Sequence, residues 1–570
     1  MNIILYNMNI NNYQINLENI KKGINFKNVN NSKLIIYKKD DNNYKCYNNI
    51  CKHQGGTFIK STDIEDLDKI VKCCRHGWKF DCENGNYLHS NNIQQEELDC
   101  EIKNDCIYIS KKEYKNPWEV EIKEKEIIKD DEFIVSFLCH ASLEIKCGNN
   151  IIFTDPWFEG PAFGRGWWNL YKVPEDAFER LSKSNIIYIS HFHSDHLSYY
   201  TLKKLYNINP DVNFVMAKLK QPIWRGGIGG NITEIGFKNI HIIDLNTWYT
   251  ISKDTRLMIL PDGINDVLDT CLLVEYKGNK ILNLVDCCMP NNQILPKDIE
   301  VIFSDFAGGS SGYPACFYEI YGKEKTYEIS KKNAKLFLNK INDCLKLTNC
   351  KMWVPIAGYF TEIHPSDSII KELNYHNSPY EATEIIKKNN TSIKTWIPFP
   401  NGNLDIKKLS GSQTDNLEIY YQDYINFDFN KYNDYYKNYN YNKELDIYDL
   451  KNKYYIGIKK YFEWANFMNY DLILHIVETD EDFNIILKEY YIDLLDLSFI
   501  ENKKENRDYY RIKVRQDMMR YIMTSGNSWE LLSIGFSGRF FSIPENLYPY
   551  DFKTHFDLKL PIDSSILRNN

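Results

Sequence analysis

Short apolar runs separated by polar turns dominate the first fifth of the chain. The runs KLIIYKK, KIVKC and CIYIS have the length and the β-branched composition of strands. Such runs suit a small antiparallel sheet that carries two loops. Residues 1–115 are therefore predicted to form an all-β domain.

Apolar runs alternate with amphipathic segments from about residue 130 to residue 400. This alternation predicts an αββα sandwich, in which helices cover the outer faces of two stacked sheets. FLCHASLEIKCGNNIIFTDPW predicts two strands and the Asp155–Pro156 turn, and KILNLVDC predicts a strand that ends at Asp286. The range 130–400 is the expected second domain.

The remaining third of the chain changes in composition. Residues 401–449 form a linker region biased toward Asn, Tyr and Lys, which codon usage in an AT-rich genome explains better than a binding function does. Residues 450–570 combine LILHIVETDEDF with the helical segment KVRQDMMRYIMTS. They predict a small α+β region, whose role the sequence does not show.

Two cysteines and two histidines in the first domain have the spacing of metal ligands. Cys51 and His53 lie in CKHQGG, and Cys73 and His76 lie in CCRHGW. Two thiolates and two imidazoles are the ligand set of a Rieske 2Fe–2S cluster, in which the cysteines bind one iron and the histidines bind the other. The sequence predicts such a cluster, which carries one electron at a time.

Structural zinc could use the same four ligands, but the flanking residues favour the cluster. Gly55, Gly56 and Gly77 allow two tight loops that bring backbone N–H groups near the cluster sulfurs. Gly56 and Arg75 occupy the positions of the two cysteines that form a disulfide in respiratory Rieske proteins, so that disulfide cannot form here. Trp78 occupies the position of their hydroxyl donor to a sulfur. The motif is thus similar to the lower-potential oxygenase and ferredoxin kind.

A second set of metal ligands follows in HFHSDH. Its members are His191, His193, Asp195 and His196. The apolar run IIYIS precedes them and LSYYTLKKL follows, so a strand leads into a metal loop that opens a helix, as is typical of the metallo-β-lactamase fold. Asp286 and the late His364, in GYFTEIHPSD, are the candidates for completing the site.

The second site departs from the dinuclear hydrolases of that fold. Those enzymes place another histidine between the loop and the bridging aspartate, but residues 197–285 contain only His241. The expected replacements are Asp262, Asp266 and Asp269. Fewer nitrogen ligands and more carboxylates suit two zinc ions less well and approach the ligand set of non-haem iron. A single iron is expected here, with zinc as the alternative.

Several motifs together carry a family resemblance. Besides the Rieske motif they are GPAFGRGWW, HSDHLSY, DTCLLVEYKG, SDFAGG, AGYF, HPSD and ETDEDF. With them the chain resembles the CMP-N-acetylneuraminate hydroxylases, also called CMP-sialic acid monooxygenases. The resemblance extends from about Gly23 to near the end of the chain.

This resemblance implies hydroxylation of CMP-N-acetylneuraminate to CMP-N-glycolylneuraminate with dioxygen. Electrons would come from NADH through cytochrome b5 reductase and cytochrome b5, and would pass from the cluster to a metal held by the HFHSDH loop with Asp286 and His364. Two alternatives stay open at this point. One is a metal-dependent hydrolase with a redox-sensing Rieske domain, and the other is a non-catalytic electron carrier.

The GRGWW segment supplies candidate substrate contacts. Arg165 could bind an anionic group of the nucleotide sugar, because a guanidinium forks onto anions. Trp167 and Trp168 could stack on the cytosine, although packing in the core is equally expected. His140 and Asp155 are expected to support the metal ligands rather than to bind the metal themselves.

Composition limits the remaining possibilities. The 570 residues are 43% hydrophobic and 26% charged, which is ordinary for a globular protein of several domains. A formal net charge of -8 gives no footprint for nucleic acid. No apolar run has transmembrane length, and the N-terminus lacks the features of a signal peptide. A cytoplasmic protein with reduced thiols is therefore expected.

Overall fold

The protein was analysed as a computed structural model, which describes the chain in segments. They are residues 13–29, 32–51, 57–61, 68–73, 79–88, 90–95, 97–110, 116–218, 232–263, 269–287, 289–308, 314–423, 471–496, 498–502, 506–519 and 530–543. These residues divide into two compact units, the first ending at Asn116 and the second starting at Pro117. No helix in these segments is long and apolar enough to span a membrane.

The first unit is built from antiparallel strands. They are β1 (Tyr13–Asn16), β2 (Gly23–Val29), β3 (Ser32–Asp40), β4 (Asn43–Asn48), β5 (Phe58–Lys60), β6 (Ile70–Cys73), β7 (Lys79–Asp81), β8 (Asn86–Tyr87), β9 (Ser90–Gln94), β10 (Glu97–Lys103) and β11 (Cys106–Ser110). One sheet has the order β1-β11-β10-β4-β3-β2, and the other runs from β5 to β9 in sequence order. Alternating apolar residues such as Leu34, Ile36, Ile107 and Ile109 form the core of the first sheet.

The second unit contains two larger sheets. Their strands, with the short pair β15 and β25, are β12 (Phe133–Cys139), β13 (Ser142–Cys147), β14 (Asn150–Thr154), β15 (Trp167–Asn169), β16 (Ile186–Tyr188), β17 (Phe214–Ala217), β18 (Ile240–Ile243), β19 (Trp248–Thr250), β20 (Thr255–Pro261), β21 (Thr270–Tyr276), β22 (Asn279–Val285), β23 (Val301–Asp305), β24 (Met352–Ile356), β25 (Phe360–Glu362), β26 (Lys394–Thr395), β27 (Asn403–Asp405) and β28 (Ser410–Gly411). One sheet has the order β18-β17-β16-β14-β13-β12-β27-β28 and the other β19-β20-β21-β22-β23-β24-β26.

Helices accompany both sheets. They are α1 (Pro117–Val120), α2 (Ala177–Ser182), α3 (Tyr199–Ile208), α4 (Tyr318–Tyr321), α5 (Lys323–Leu347), α6 (Ser368–Leu373) and α7 (Pro379–Asn389), with 3-10 turns at Asn291–Gln293, Pro314–Phe317, Pro365–Asp367 and Glu418–Tyr420. A further 3-10 turn, Leu17–Asn19, belongs to the first unit. Leu181 of α2 and Leu202 of α3 pack in one core with Phe153 and Phe214 of the first sheet. Helices α5 and α7 contact each other, and α7 contacts β24 and β26 of the second sheet.

The two large sheets face each other. Phe133 of β12 packs edge-on against Tyr276 of β21, with ring centroids 5.6 Å apart. The hydroxyls of Tyr188 and Thr270 are 2.7 Å apart across the same gap. With helices packed against each sheet, this is an αββα sandwich, as the sequence predicted.

Residues near the end of the chain belong to the second unit as well. They form β29 (Ile473–Thr479), β30 (Ile486–Asp493), β31 (Ser498–Ile500), β32 (Tyr509–Arg515), α8 (Glu530–Ile534) and β33 (Gly538–Ile543). The strand order is β31-β30-β29-β32-β33, and β29 pairs with β32 in parallel. The predicted fold class, an all-β domain, a sandwich and an α+β region, is confirmed.

Candidate metal centre

Strand ends of both large sheets converge on one cluster of polar side chains. His140 follows β12, Asp155 follows β14 and His191 lies three residues beyond β16. From the facing sheet, Asp269 precedes β21 and Asp286 follows β22. Residues that are distant in sequence therefore meet because their strands end at the same edge of the sandwich.

The backbone beside this cluster is strained. His140 and Asp155 both have a φ of 39°, and Val285, next to Asp286, has a φ of 51°. Positive φ values are uncommon for residues with a side chain and unfavourable for a β-branched one. Such conformations persist where the surrounding structure enforces them, often at functional sites.

Two groups of ligand atoms share His196. In one, Asp195 Oδ2 lies 3.2 Å from His140 Nε2 and 3.4 Å from His196 Nε2. In the other, Asp286 Oδ2 lies 3.4 Å from His196 Nε2 and 3.8 Å from His191 Nε2. The ligand atoms within each group lie within 4.8 Å of one another. Each group can therefore hold one metal ion.

Two further side chains extend the second group. Nδ1 of His193 lies 2.8 Å from Nε2 of His191. Oδ1 of Asp269 lies 3.9 Å from the same His191 nitrogen. Of the three aspartates expected to replace the missing histidine, Asp269 is thus the one that the described segments place at the cluster. Asp262 instead accepts a hydrogen bond from Met289 N, and Asp266 lies outside the described residues.

Several buried polar atoms of this cluster lack a hydrogen bond within the described segments. They are both ring nitrogens of His140, Oδ1 of Asp195 and Nε2 of His196. Leaving buried donors or acceptors unsatisfied costs about 1–3 kcal/mol each. Imidazole nitrogens and carboxylate oxygens are ligands of zinc and of non-haem iron. The residues present therefore fit a metal ion.

The electrostatics of the cluster agree with this interpretation. Burial, helped by the rings of His196 and His193, lowers the pKa of His191 well below its usual value, so this ring is in the neutral form that binds metals. Burial acts to lower the pKa of His196 too, but Asp195 and Asp286 raise it well above its usual value. The carboxylates therefore create a strong preference for a positive charge, which a metal cation would satisfy.

Asp155 orients two of the imidazoles. Its Oδ2 accepts a 3.2 Å hydrogen bond from Nδ1 of His196 and a 2.7 Å bond from the Ser190 hydroxyl. Ser190 Oγ lies 2.9 Å from Nδ1 of His191 and can accept its proton, since its own proton goes to Asp155. Nδ1 then carries the proton in both rings and Nε2 is left unprotonated toward the cluster, a support typical of metal-binding histidines.

Asp155→Asn is expected to weaken metal binding by about 10- to 100-fold, because the amide cannot fix both ring protons as the carboxylate does. The measurement is metal content by mass spectrometry after equilibration with a graded series of chelator concentrations. Asp130→Asn, which alters an exposed carboxylate paired with Lys407, is the matched control. Equal metal retention by the two variants would contradict the orienting role.

His364 lies outside both ligand groups. Its Nδ1 accepts a 3.2 Å hydrogen bond from Ser366 N, and its Nε2 lies 2.9 Å from Oε2 of Glu481. Both ring nitrogens of His364 thus contact groups outside the two ligand groups. His140 lies instead beside Asp195 and His196. The hydrogen bond from His364 lowers the pKa of Glu481 to about 2, and the Arg165 charge adds to this effect. Burial acts in the opposite direction but is outweighed.

The candidate substrate residues of GRGWW make contacts within the protein. Arg165 forms ion pairs with Glu481, at 3.3 Å, and with Asp517. Trp167 stacks on Phe360 with ring centroids 3.8 Å apart, and Trp168 is buried in β15. An anion would therefore compete with two carboxylates for Arg165, and a base could not use the face of Trp167 that covers Phe360.

An aromatic wall lies beside the metal cluster. The ring of Phe163 is 5.4 Å from that of His193, and the ring of Phe360 is 6.0 Å from that of His140. Trp157 contacts His140 at 5.2 Å. Apolar walls of this kind exclude water and strengthen electrostatic interactions inside a site.

The turn between α8 and β33 packs against Phe163, one of the residues of this aromatic wall. Glycine is required at position 535, because any side chain there would overlap the carbonyl of Phe163. The Phe163 N–H donates a 2.7 Å hydrogen bond to Oγ of Ser194, inside the metal loop. Phe163 thus contacts both the segment at Gly535 and the metal loop.

The predicted cluster ligands lie in the first unit. Cys51 and Cys73 are both buried, and Cys73 is the last residue of β6. His53 and His76 lie outside the described residues. Cys51 lies three residues beyond β4. Two buried thiols suit ligands of an iron–sulfur cluster, which thiolates hold.

A family model matches the first unit of the chain. Residues 14–101 match the Rieske [2Fe-2S] domain, which confirms the predicted cluster. A metallo hydrolase from Ignicoccus hospitalis, Igni18, is similar in structure over 50% of this chain and 99% of its own, with 11% identity and a TM-score of 0.32.

Two similar sequences cover nearly the whole chain. The cytidine monophosphate-N-acetylneuraminic acid hydroxylase of Cricetulus griseus is 38% identical over 95% of this chain and 97% of its own. The hydroxylase of the same name from Danio rerio is 37% identical over 96% of this chain and 93% of its own. The resemblance seen in the sequence is confirmed, and the chain belongs to the cytidine monophosphate-N-acetylneuraminic acid hydroxylase family.

Proposed function

We propose that this protein hydroxylates the N-acetyl methyl group of CMP-N-acetylneuraminate to give CMP-N-glycolylneuraminate. The main support is one structural observation: a buried cluster of imidazoles and carboxylates lies in the same chain as a Rieske domain. A one-electron carrier and a metal centre with few nitrogen ligands are the parts that dioxygen chemistry needs. The names of the relatives supply the substrate.

The proposed reaction consumes two electrons and two protons for each dioxygen molecule. One oxygen atom enters the methyl C–H bond, and the other leaves as water. A carrier that delivers single electrons must therefore act twice in each turnover. We propose NADH as the source, with cytochrome b5 reductase and cytochrome b5 as the carriers that reduce the cluster in the cytoplasm.

Iron is the metal that we propose for the second centre. One position would be held by His140, Asp195 and His196, and the other by His191, His196 and Asp286. His193 and Asp269 lie beside the second position. Bound iron would supply the activation of dioxygen. If one of the two ligand groups binds iron, the centre contains the single iron predicted from the sequence. The other ligand group offers a position for a second iron.

The protein's own residues then perform three tasks. Asp155 and Ser190 keep the imidazole protons away from the metal-facing nitrogens. Phe163 and Phe360 present apolar surface beside the metal ligands. A methyl group is apolar, and it can approach such a wall without the loss of a hydrogen bond. The same wall excludes water, which limits unproductive side reactions.

Arg165 stays a candidate for the phosphate or carboxylate of the substrate. Its guanidinium already contacts two carboxylates, those of Glu481 and Asp517. Substrate binding would therefore exchange one carboxylate partner for another anion. Trp167 and Trp168 stay candidates for stacking on the cytosine. Both are buried, so substrate binding would have to expose a ring face.

The direct test is a reconstituted assay. Purified protein with NADH, cytochrome b5, its reductase and dioxygen should convert CMP-N-acetylneuraminate into the N-glycolyl product, detected by chromatography. Anaerobically purified protein should contain iron beyond the two atoms of the cluster, about three per chain with one group filled. The proposal fails if no product forms while free sialic acid or an unrelated ester is turned over, or if the extra metal is zinc.

A further inference from the structure

A tyrosine hydroxyl lies between a cluster cysteine and a glutamine. Tyr87, which is almost fully buried, has its hydroxyl 3.9 Å from Sγ of Cys51. The same hydroxyl is 2.7 Å from Oε1 of Gln95. A phenol has a single proton to donate, so the sulfur and the amide oxygen compete for it.

The orientation of the Gln95 amide decides this competition. Its Nε2 donates to the backbone carbonyls of Asn48 and Ile50, both at 2.9 Å. Carbonyl oxygens only accept hydrogen bonds, so the amide cannot be reversed without losing both bonds. Oε1 therefore faces Tyr87 as an acceptor. At 2.7 Å it is a strong acceptor, whereas the contact to sulfur is long and sulfur accepts weakly.

We propose that Gln95 lowers the reduction potential of the Rieske cluster by holding the Tyr87 proton away from Cys51. Reduction adds negative charge to the cluster, and a hydrogen bond donated to a ligand sulfur stabilises that charge. Directing the proton to Gln95 removes this stabilisation from the sulfur. Gln95 thereby acts on the potential through Tyr87, and it is a positioning residue.

This role agrees with a second feature of the sequence. Trp78 occupies the position where respiratory Rieske proteins carry a hydroxyl donor to the cluster. Gln95 diverts a further hydroxyl, that of Tyr87, so both residues act toward a lower potential. The inference depends only on the cluster and not on the proposed substrate, so its test and the product assay can fail independently.

The test is a double-mutant cycle on the intact protein, read as the midpoint potential of the cluster by EPR-monitored redox titration. Tyr87→Phe is expected to leave the potential nearly unchanged, because its proton does not reach the sulfur. Gln95→Leu should raise the potential, because the released hydroxyl then donates to Cys51. The double variant Gln95→Leu with Tyr87→Phe should return to the value of Tyr87→Phe alone.

Two results would overturn the proposal. A lower potential in Tyr87→Phe would mean that the tyrosine already donates to the sulfur. A shift in Gln95→Leu that persists in the double variant would mean that it arises from the lost bonds to Asn48 and Ile50. If Gln95→Leu does not assemble the cluster, Gln95→Lys takes its place, because an ammonium offers donors to these carbonyls and lacks an acceptor. Its positive charge raises the potential by itself, so the measure is then the fall in potential on adding Tyr87→Phe to Gln95→Lys. No fall would overturn the proposal.

A second measurement observes the proton itself. Pulsed EPR of the reduced cluster, in ordinary and in deuterated water, detects exchangeable protons near the sulfurs. Wild type and Tyr87→Phe should share the same strong exchangeable couplings, because a proton directed to Gln95 couples only weakly to the cluster. The Gln95 variant should gain one strong coupling, and the added Tyr87→Phe change should remove it. A strong coupling that wild type loses on Tyr87→Phe would contradict the assigned direction of the hydrogen bond.

Discussion

His196→Ala is expected to abolish hydroxylation and to empty the metal centre of the second unit, with the Rieske EPR signal unchanged. His196 belongs to both ligand groups, so its loss removes a ligand from each possible metal position. A bound metal supplies several kcal/mol of stabilisation in catalysis, which corresponds to a loss of at least about 10³-fold in rate. Product chromatography, metal analysis and EPR measure the three quantities separately.

His364→Ala is the matched control for this experiment. It makes the same substitution at another buried histidine of the same unit, whose two ring nitrogens contact Ser366 and Glu481. We expect this variant to keep its metal. Loss of metal from His364→Ala, or retention by His196→Ala, would show that the ligand groups described above are wrong. Loss of the Rieske signal from His196→Ala would indicate general misfolding.

Asp367→Ala is expected to destabilise the second unit by about 3–5 kcal/mol, because it leaves buried cations without their partner. The carboxylate of Asp367 accepts hydrogen bonds from Arg515, at 2.8 and 3.1 Å, and from Arg539. All three side chains are 2% exposed or less. Urea unfolding followed by tryptophan fluorescence measures the change, while the visible absorption of the cluster reports on the first unit.

Glu179→Ala provides the comparison for Asp367. Glu179 pairs with Lys183 one helical turn away, and both side chains are 67% exposed. Exposed pairs of this spacing contribute about 0.3–0.5 kcal/mol, so the unfolding midpoint should barely move. If Asp367→Ala were no more destabilising than this control, the buried pairs would not contribute to the stability of the unit.

The sequence predicts a metal site where the ligands are contiguous. HFHSDH carries four candidate ligands within six residues between a strand and a helix. The structure brings their side chains together in one cluster, as expected for a metal loop. His140 and Asp269 are harder to assign. They join the cluster because β12 ends and β21 begins at the same edge of the sandwich, and strand order is not visible in the pattern of apolar residues.

His364 shows the opposite limitation. A late histidine near an HPSD motif suggests a ligand by its position along the chain. Its partner, Glu481, lies 117 residues further on in the C-terminal region. Apolar periodicity predicts that this region forms strands and helices, but it does not predict which loops its charged side chains will contact. Contacts of that kind depend on tertiary packing.

The contact of Gly535 with Phe163 places a condition on how the enzyme matures. Proteins are synthesised from the N-terminus, and domains fold as they emerge. The HFHSDH loop leaves the ribosome more than 300 residues before Gly535, yet Phe163, which bonds to Ser194 in that loop, is covered by the last described segment. A chain that stops near residue 500 would keep every metal-binding motif but would lack the segment that packs against Phe163. We therefore expect stable metal loading only after the Gly535 segment has been synthesised and has folded onto Phe163.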